Sequence, residues 1–250
     1  MKTVRDMFEE AWFQDKLCSL HVMFANAGVS GGLESFTDIT EELIEPTFKV
    51  NVYGVFYCFK HAANAMTKLG VKDGSLIATS SVAGIRSGAG SAIYSASKAA
   101  VISIGQTVAN QLVGTGIRCN IVCPGLVETG MTKPVFDLAR ARNTILKMGQ
   151  LNPLQRYALP KEIASVVCFL ASPGASYING QAIAVDGETG GMMEKLDYKS
   201  TLDRLYWLYP HICTASLLGQ QKSGFFKLRN EYMYVEFISS FFYTEEHFQV

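Results

Sequence analysis

The chain has 250 residues, 48% of them hydrophobic and 18% charged, which is typical of one large globular domain or of one domain with an extension. Its 22 Lys and Arg residues balance its 22 Asp and Glu residues, so no net positive charge favours binding to nucleic acid or to an anionic membrane. The sequence shows no apolar run of the roughly 18 residues that span a bilayer and no apolar signal segment at its start, so we expect a cytoplasmic protein.

Strand-like and helix-like segments alternate in the first half of the chain. LHVMFANAG, from Leu20, predicts a buried strand that ends in small residues. A helix-length segment follows from Thr40 to Leu69, in which Thr40 is a candidate cap and Pro46 is expected to kink or restart the helix. GSLIATSS, at 74–81, predicts a second buried strand.

The second half of the chain continues this alternation. A run of small and apolar residues from about Tyr94 to Val113 predicts a long, largely buried helix. IRCNIVCPG, at 117–125, predicts a third strand, a further helix is expected from Pro160, and GQAIAVDG predicts a last short strand. Strands that alternate with helices of this length predict a parallel sheet with right-handed crossovers.

Polar and turn-forming residues follow the predicted strands. A ligand of a parallel sheet binds beyond the carboxyl ends of the strands, so these residues are expected to converge on one edge. They are Asn26 after the first strand, Ser80 and Ser81 after the second, and Pro124, Gly125 and Thr129 after the third.

The six cysteines show no pattern typical of a metal site. They lie among apolar neighbours, without a Cys-x-x-Cys pair or a Cys and His cluster at zinc spacing. We therefore predict buried, reduced thiols and no metal site. The six are Cys18, Cys58, Cys119, Cys123, Cys168 and Cys213.

Tyr94 and Lys98 are four residues apart in the stretch SSVAGIRSGAGSAIYSASK. On a helix this spacing places both side chains on one face, close enough for the ammonium to act on the phenol. Taken singly, each candidate has a structural interpretation: Tyr94 as a surface aromatic and Lys98 as a solvated charge. Ser81 is in that case a strand-end cap, and Asn51 satisfies backbone groups of its helix.

The combination of these segments resembles the short-chain dehydrogenase/reductase family over most of the region from Leu20 to Gly187. The matching stretches are, in order, NAG, VNVYGVF, SSVAG, YSASK, NIVCPGLVETGM and NGQAIAVDG. Ser81 lies thirteen positions before Tyr94, the spacing that this family uses for its catalytic serine and tyrosine. The resemblance implies an α/β fold with a doubly wound, Rossmann-like parallel sheet.

The resemblance implies an oxidoreductase that interconverts a small-molecule secondary alcohol and a ketone with NAD or NADP. Tyr94 is then the general acid/base, because Lys98 and an oxidised nicotinamide ring favour its phenolate. Ser81 orients the substrate oxygen, Lys98 also holds the nicotinamide ribose, and Asn51 organises a water. Further cofactor contacts are implied at Asn26, Ala27, Gly28, Pro124, Gly125, Val127 and Thr129, and the segment 130–151 is expected to cover the substrate.

Two departures from the family pattern determine the expected domain boundaries. The family's phosphate-binding Thr-Gly-x-x-x-Gly-x-Gly motif is not found, and roughly 60 family residues, with the first three strands, are expected to be missing before the strand at Leu20. We therefore predict a partial Rossmann-like domain at 1–191, in which the segment before Leu20 is helical and the strand at Leu20 is an exposed edge. An aromatic-rich extension of unknown structure follows at 192–250.

The extension has three interpretations. It docks as an added helix and strand pair, it occupies the edge left by the missing strands, or it is sequence from beyond an altered reading boundary that does not fold well; we favour the last. The alternative function is a catalytically inactive, truncated family member that keeps only an association surface. By resemblance, that surface lies on the helices beginning near Thr40 and Tyr94 and forms a homo-oligomer, either a dimer or a tetramer.

Overall fold

A computed structural model describes residues 19–187, except 33, 87 and 151, and the backbone of two further strands. The predicted helix before Leu20 and the rest of the extension lie outside these residues. The described strands and long helices are β1 (Val22–Ala25), α1 (Glu41–Phe48), α2 (Gly54–Lys68), β2 (Ser75–Thr79), α3 (Ala92–Gln111), β3 (Arg118–Pro124), α4 (Lys133–Ala141), α5 (Pro160–Ala171), β4 (Ala182–Val185), β5 (Gly224–Leu228) and β6 (Glu231–Val235).

The strands form one sheet in the order β4-β3-β2-β1-β6-β5. Every neighbouring pair is parallel except β5 and β6, which are antiparallel. Met23 lies opposite Leu76 between β1 and β2, and Ala78 lies opposite Ile121 between β2 and β3. The predicted parallel α/β sheet is therefore confirmed.

Both faces of the sheet are covered, which makes the fold doubly wound. Side chains that include Met23, Leu76 and Ile121 pack against α2 and α3 on one face. Alternate side chains, including Ile77 and Val122, pack against α5 on the other face. Since successive residues of a strand point to opposite faces, a strand buried on both faces needs an almost continuous apolar run.

The edge of β1 is paired with the C-terminal part of the chain. Val22, Met23 and Phe24 lie opposite residues 233–235 of the parallel strand β6, and β5 continues the sheet beyond it. The expectation that β1 is an exposed edge is therefore wrong. The backbone donors and acceptors on that side of β1 pair with β6 instead of being left open. Of the three interpretations of the extension, the structure agrees with the one in which it occupies the edge left by the missing strands. It does not agree with the favoured interpretation, in which the extension does not fold well.

A π-helical segment, Lys49–Tyr53, joins α1 to α2 without a break in the helical path. Pro46 lies inside α1, and the Lys49 N–H donates to the carbonyl oxygens of both Glu45 and Pro46. The predicted restart after Pro46 is therefore a change of helix type. π-Helical turns inside helices are frequent at functional sites, and the fully buried Asn51 lies in this one.

The cysteine prediction is confirmed in part. Cys58, Cys119 and Cys123 are buried free thiols, whereas Cys168 is exposed on α5 because that helix covers the sheet with one face only. In the part of the chain that the structure describes, no group of His, Cys, Asp and Glu residues is arranged to hold a metal ion. Within the same residues, no helix has both the length and the apolar character needed to cross a bilayer.

Candidate active site

The loops that follow β1, β2 and β3 meet at one edge of the sheet. Asn26, Ala27 and Gly28 follow β1, Ser80 and Ser81 follow β2, and the segment 124–129 includes the end of β3. The Thr79 hydroxyl donates to Asn26 Oδ1 at 2.7 Å and joins the first two loops. Because β1, β2 and β3 are parallel neighbours, their carboxyl ends bring together residues that are distant in sequence.

Tyr94 lies in the first turn of α3, beside Ser81 and Lys98. The side chain of Ser91 caps this helix by accepting the Tyr94 N–H at 3.3 Å. The Ser81 side chain is close enough to the Tyr94 hydroxyl to oppose the effect of burial on its pKa, and Lys98 Nζ lies 5.7 Å from the centroid of the Tyr94 ring. The structure thus brings together the three residues that the sequence pattern predicted as neighbours.

Burial shifts the pKa values of Tyr94 and Lys98 in opposite directions. It raises the pKa of Tyr94, and the hydrogen bond with Ser81 opposes this shift. It lowers the pKa of Lys98 from 10.5 to about 8. Both shifts have the same physical cause, because a site closed to water disfavours the charged form of each group.

Lys98 is held in one place by the backbone of the sheet. Its side chain is 2% exposed, and Nζ donates to the Thr79 carbonyl oxygen at 2.9 Å. A Cβ on Gly28 would lie 3.1 Å from this nitrogen, so a larger residue there would press on the ammonium beside the loop after β1. An ammonium has three N–H donors, and its contact with Thr79 leaves capacity for a ligand.

Ser80 and Ser81 have different partners although they are adjacent. The Ser80 hydroxyl donates to the Lys98 carbonyl oxygen at 2.7 Å and is buried beneath α3. The Ser81 Oγ faces Tyr94 and also accepts the Ala83 N–H at 3.1 Å, so it caps the 3-10 turn Val82–Gly84. Ser81 is therefore both the strand-end cap of the structural interpretation and a hydroxyl that acts on the Tyr94 phenol.

Asn51 connects α3 to the loop after β1. Its Oδ1 accepts the Val29 N–H at 2.8 Å, and its Nδ2 donates to the Val29 carbonyl oxygen at 3.0 Å. Nδ2 also donates to Ser97 Oγ at 2.9 Å. Ser97 directly precedes Lys98 in the YSASK stretch, but its bond with the distant Asn51 has no signature in local sequence.

The segment after β3 lies against the end of β4. The Gly125 N–H donates to the Val185 carbonyl oxygen at 3.1 Å, and a Cβ on Gly125 would lie 2.7 Å from the Asp186 Cβ. Val127 is buried, whereas Thr129 is exposed and its N–H donates to Thr132 Oγ1 at 2.9 Å. Thr129 is thus separate from the buried hydrogen bonds that join the other predicted site residues.

Two further groups near the site were missed by sequence reasoning. Arg86, in the loop between Ser81 and Tyr94, forms an ion pair with Asp186 at 3.0 Å, and their side chains are 18% and 8% exposed. Cys123 lies near Lys98 and Ser80, and burial raises its pKa to about 11. An ion pair between distant loops and a thiol at a strand end have no signature in local sequence.

Comparison with known proteins gives the same assignment along most of the chain. A family model described as Enoyl-(Acyl carrier protein) reductase matches residues 2–190. The chain is 37% identical over 187 residues to the 3-oxoacyl-[acyl-carrier-protein] reductase FabG of Thermotoga maritima, which covers 74% of this chain and 73% of that protein. It is also 37% identical over 166 residues to the L-rhamnose 1-dehydrogenase (NAD(P)(+)) of a Sphingomonas species, covering 66% of this chain and 63% of that protein.

A solved structure shares the fold. The ligand-free aldohexose dehydrogenase of Thermoplasma acidophilum superimposes with a TM-score of 0.68 at 28% identity, over 78% of this chain and 75% of that chain. The chain spans about two thirds of the length of the curated relatives that it matches. Both the matched sequence and the shared sheet show that this chain belongs to the short-chain dehydrogenase/reductase family of NAD(P)-dependent oxidoreductases.

Proposed function

We propose that this chain interconverts a secondary alcohol and a ketone by hydride transfer with NAD or NADP, and that Tyr94 is its general acid/base. The observation that carries the proposal is the joint placement of Ser81, Tyr94 and Lys98 at the carboxyl edge of the sheet. The Ser81 side chain acts on the Tyr94 hydroxyl and opposes the rise of its pKa on burial, and Lys98 Nζ lies 5.7 Å from the centre of the Tyr94 ring.

Each of these groups has a distinct chemical task. In reduction, Tyr94 gives its hydroxyl proton to the ketone oxygen, and in oxidation it takes the alcohol proton. The Lys98 ammonium stabilises the phenolate that remains after the proton has left. Ser81 donates a hydrogen bond to the substrate oxygen, where negative charge develops. A bound nicotinamide ring supplies or accepts the hydride.

The residues present fit the ribose and nicotinamide end of such a cofactor. Gly28 leaves open the space in which a Cβ would lie 3.1 Å from Lys98 Nζ, so a ribose hydroxyl has room to reach the ammonium. Backbone groups at Asn26 and Ala27, and the segment 124–129 across the site, are the proposed further contacts. The name of the Sphingomonas relative includes NAD(P)+, which supports either cofactor.

The proposal is tested by cofactor binding and turnover of the purified 250-residue chain. NADH and NADPH are titrated while nicotinamide fluorescence is followed, and a panel of secondary alcohols and ketones is then assayed with Tyr94→Phe and with Tyr177→Phe. The ring of Tyr177 is fully exposed, so this variant is the matched control. We expect Tyr94→Phe to bind cofactor normally but to lose activity by about 10²- to 10⁴-fold, the usual contribution of proton transfer.

Two outcomes of these experiments would contradict the proposal. Binding and turnover that are unchanged in Tyr94→Phe would contradict the role of Tyr94. A folded, monodisperse wild-type chain that binds neither cofactor would contradict the enzymatic proposal and favour the catalytically inactive alternative.

We also propose that the chain forms a homo-oligomer through the helical segment that contains α2. Tyr53, Phe56 and Tyr57 are each about half exposed there, and the rings of Phe56 and Tyr57 pack edge to face with centroids 6.0 Å apart. Neighbouring exposed aromatic side chains are typical of a surface that associates with another protein. Their position on this long helix agrees with the interface implied by the family resemblance.

A further inference from the structure

We propose that Ser97 is a positioning residue that locks the turn carrying Tyr94 and Lys98 to the loop after β1. The inference rests on the proposed function, because it concerns the placement of the groups that carry out that reaction. Ser97 itself does not face the substrate; it acts through Asn51 and through the first turn of α3.

The Ser97 hydroxyl takes part in two short hydrogen bonds in a region closed to solvent. It donates to the Tyr94 carbonyl oxygen at 2.7 Å and accepts from Asn51 Nδ2 at 2.9 Å. Both Asn51 and Ser97 are 0% exposed, so water does not replace either partner. The hydroxyl therefore bridges the turn of α3 to a side chain from a different helix.

Asn51 extends this connection to the cofactor side of the site. Its amide binds both backbone groups of Val29, and the Val29 N–H must face an acceptor, which fixes the orientation of the amide. One N–H of Nδ2 is then used by the Val29 carbonyl oxygen and the other by Ser97. The loop after β1, Asn51, Ser97 and the Tyr94 backbone thus form one continuous chain of hydrogen bonds.

This arrangement points to positioning more than to helix stability. A serine that bonds the carbonyl three residues back gains little for its own helix, and alanine is the better helix former. Without the Ser97 hydroxyl, however, one buried N–H of Asn51 has lost its acceptor, and α3 is no longer tied to the loop at Val29. A small displacement of Tyr94 or Lys98 relative to bound cofactor then reduces the rate of the chemical step.

The test is a double-mutant cycle on the full chain. Ser97→Ala, Asn51→Ala and the double variant are compared with wild type for kcat, KM and the Kd of NADPH measured by nicotinamide fluorescence. Ser95→Ala is the matched control, because Ser95 lies in the same turn of α3 but is more exposed and makes only a long contact of 3.5 Å to Gly90. Ser97→Cys keeps the volume and weakens the hydrogen bonds, so it reports on the bonds even if Ser97→Ala folds poorly.

We expect kcat to fall by about tenfold in Ser97→Ala and Ser97→Cys, and to stay at the wild-type value in Ser95→Ala. Because Ser97 acts through Asn51, adding Ser97→Ala to Asn51→Ala should change kcat and Kd by less than about twofold. Wild-type values in the Ser97 variants, or independent effects that multiply in the double variant, would overturn the inference. A wild-type chain that neither binds nor turns over would instead overturn the proposed function, and this inference with it.

Discussion

Lys98 carries the buried positive charge on which the electrostatics of the site depend. Lys98 is 2% exposed and donates a hydrogen bond to the Thr79 carbonyl oxygen. The titratable group that opposes the effect of burial on its pKa is Cys123, whose own pKa of about 11 keeps the thiol neutral. Burial without an anionic partner explains why its pKa falls to about 8. The proposed chemistry needs the charged form of Lys98, and a pKa of about 8 means that this charge is lost only slightly above neutral pH.

This pKa predicts how the rate of ketone reduction depends on pH. We expect kcat/KM, which reports the free protein, to fall by about tenfold per pH unit above the Lys98 pKa of about 8, because the cation that stabilises the Tyr94 phenolate is lost. In Lys98→Arg the guanidinium stays charged, so the decline should move to higher pH although the maximal rate is lower. A decline at the same pH in both proteins would contradict the assignment to Lys98.

At the scale of elements, the site depends on how closely the turn after β2 approaches α3. The 3-10 turn Val82–Gly84 packs on the backbone of α3 at Gly84. A Cβ there would lie 2.6 Å from the Lys98 carbonyl carbon and 2.8 Å from the Ala99 backbone nitrogen. Glycine at this position therefore sets the distance between Ser81 and the helix that carries Tyr94.

Gly84→Ala is accordingly expected to separate the turn from α3. The added methyl meets rigid backbone, so we expect the free energy of unfolding to fall by about 1–3 kcal/mol and kcat to fall at least tenfold. Urea denaturation and steady-state assays measure the two effects. Gly130→Ala is the control for stability, because a Cβ at Gly130 would have no atom within 4 Å. Equal stability of Gly84→Ala and wild type would contradict the close packing.

At the scale of the whole molecule, the sheet is completed by strands from opposite ends of the chain. β6 lies next to β1, so a strand near the end of the sequence pairs with the first described strand. This long-range pairing protects the backbone groups of β1, which would otherwise be free to pair with another chain. Strands β5 and β6 are thus part of the sheet that supports the site.

A proline in β6 tests this contribution. Tyr234 lies opposite Met23 of β1 and Phe225 of β5, and proline at this position removes a backbone donor from the sheet. Tyr234→Pro should lower the free energy of unfolding by about 1–3 kcal/mol and increase aggregation, whereas Tyr234→Thr keeps the N–H and should remain monodisperse. Thermal denaturation and light scattering measure these effects. A stable, monodisperse Tyr234→Pro chain would show that β6 is dispensable.

The exposed aromatic side chains on the helical segment that contains α2 can be tested as the interface of the proposed homo-oligomer. Phe56→Asp places a charge among exposed aromatic side chains, where an interface would have to bury it without a partner. If the wild-type chain forms the proposed dimer or tetramer, we expect analytical ultracentrifugation to show a smaller species for Phe56→Asp. Lys60→Asp on the same helix, one turn away and exposed, distinguishes a general charge effect from loss of the aromatic contact.

Most of the strands in the sheet and the placement of Tyr94 and Lys98 on one helix face could be predicted from local sequence. Apolar runs such as LHVMF and SLIAT predict buried strands because burial on both faces demands them, and the interval from Tyr94 to Lys98 fixes one face of one helix turn. The Asn, Ser and Pro-Gly positions after the strands predicted the edge at which the loops meet. These features depend on near neighbours and on the period of each element, so they can be recognised without the fold.

Contacts between segments that are distant in sequence depend on the three-dimensional packing of the chain. The bonds from Asn51 to Val29 and Ser97, and the ion pair of Arg86 with Asp186, join residues that no local period relates. The same is true of β6 beside β1, since strand neighbours follow from three-dimensional packing and not from order along the chain. The low pKa of Lys98 is likewise a consequence of burial, because the sequence supplies the amine but the surrounding fold removes the water that would stabilise its charge.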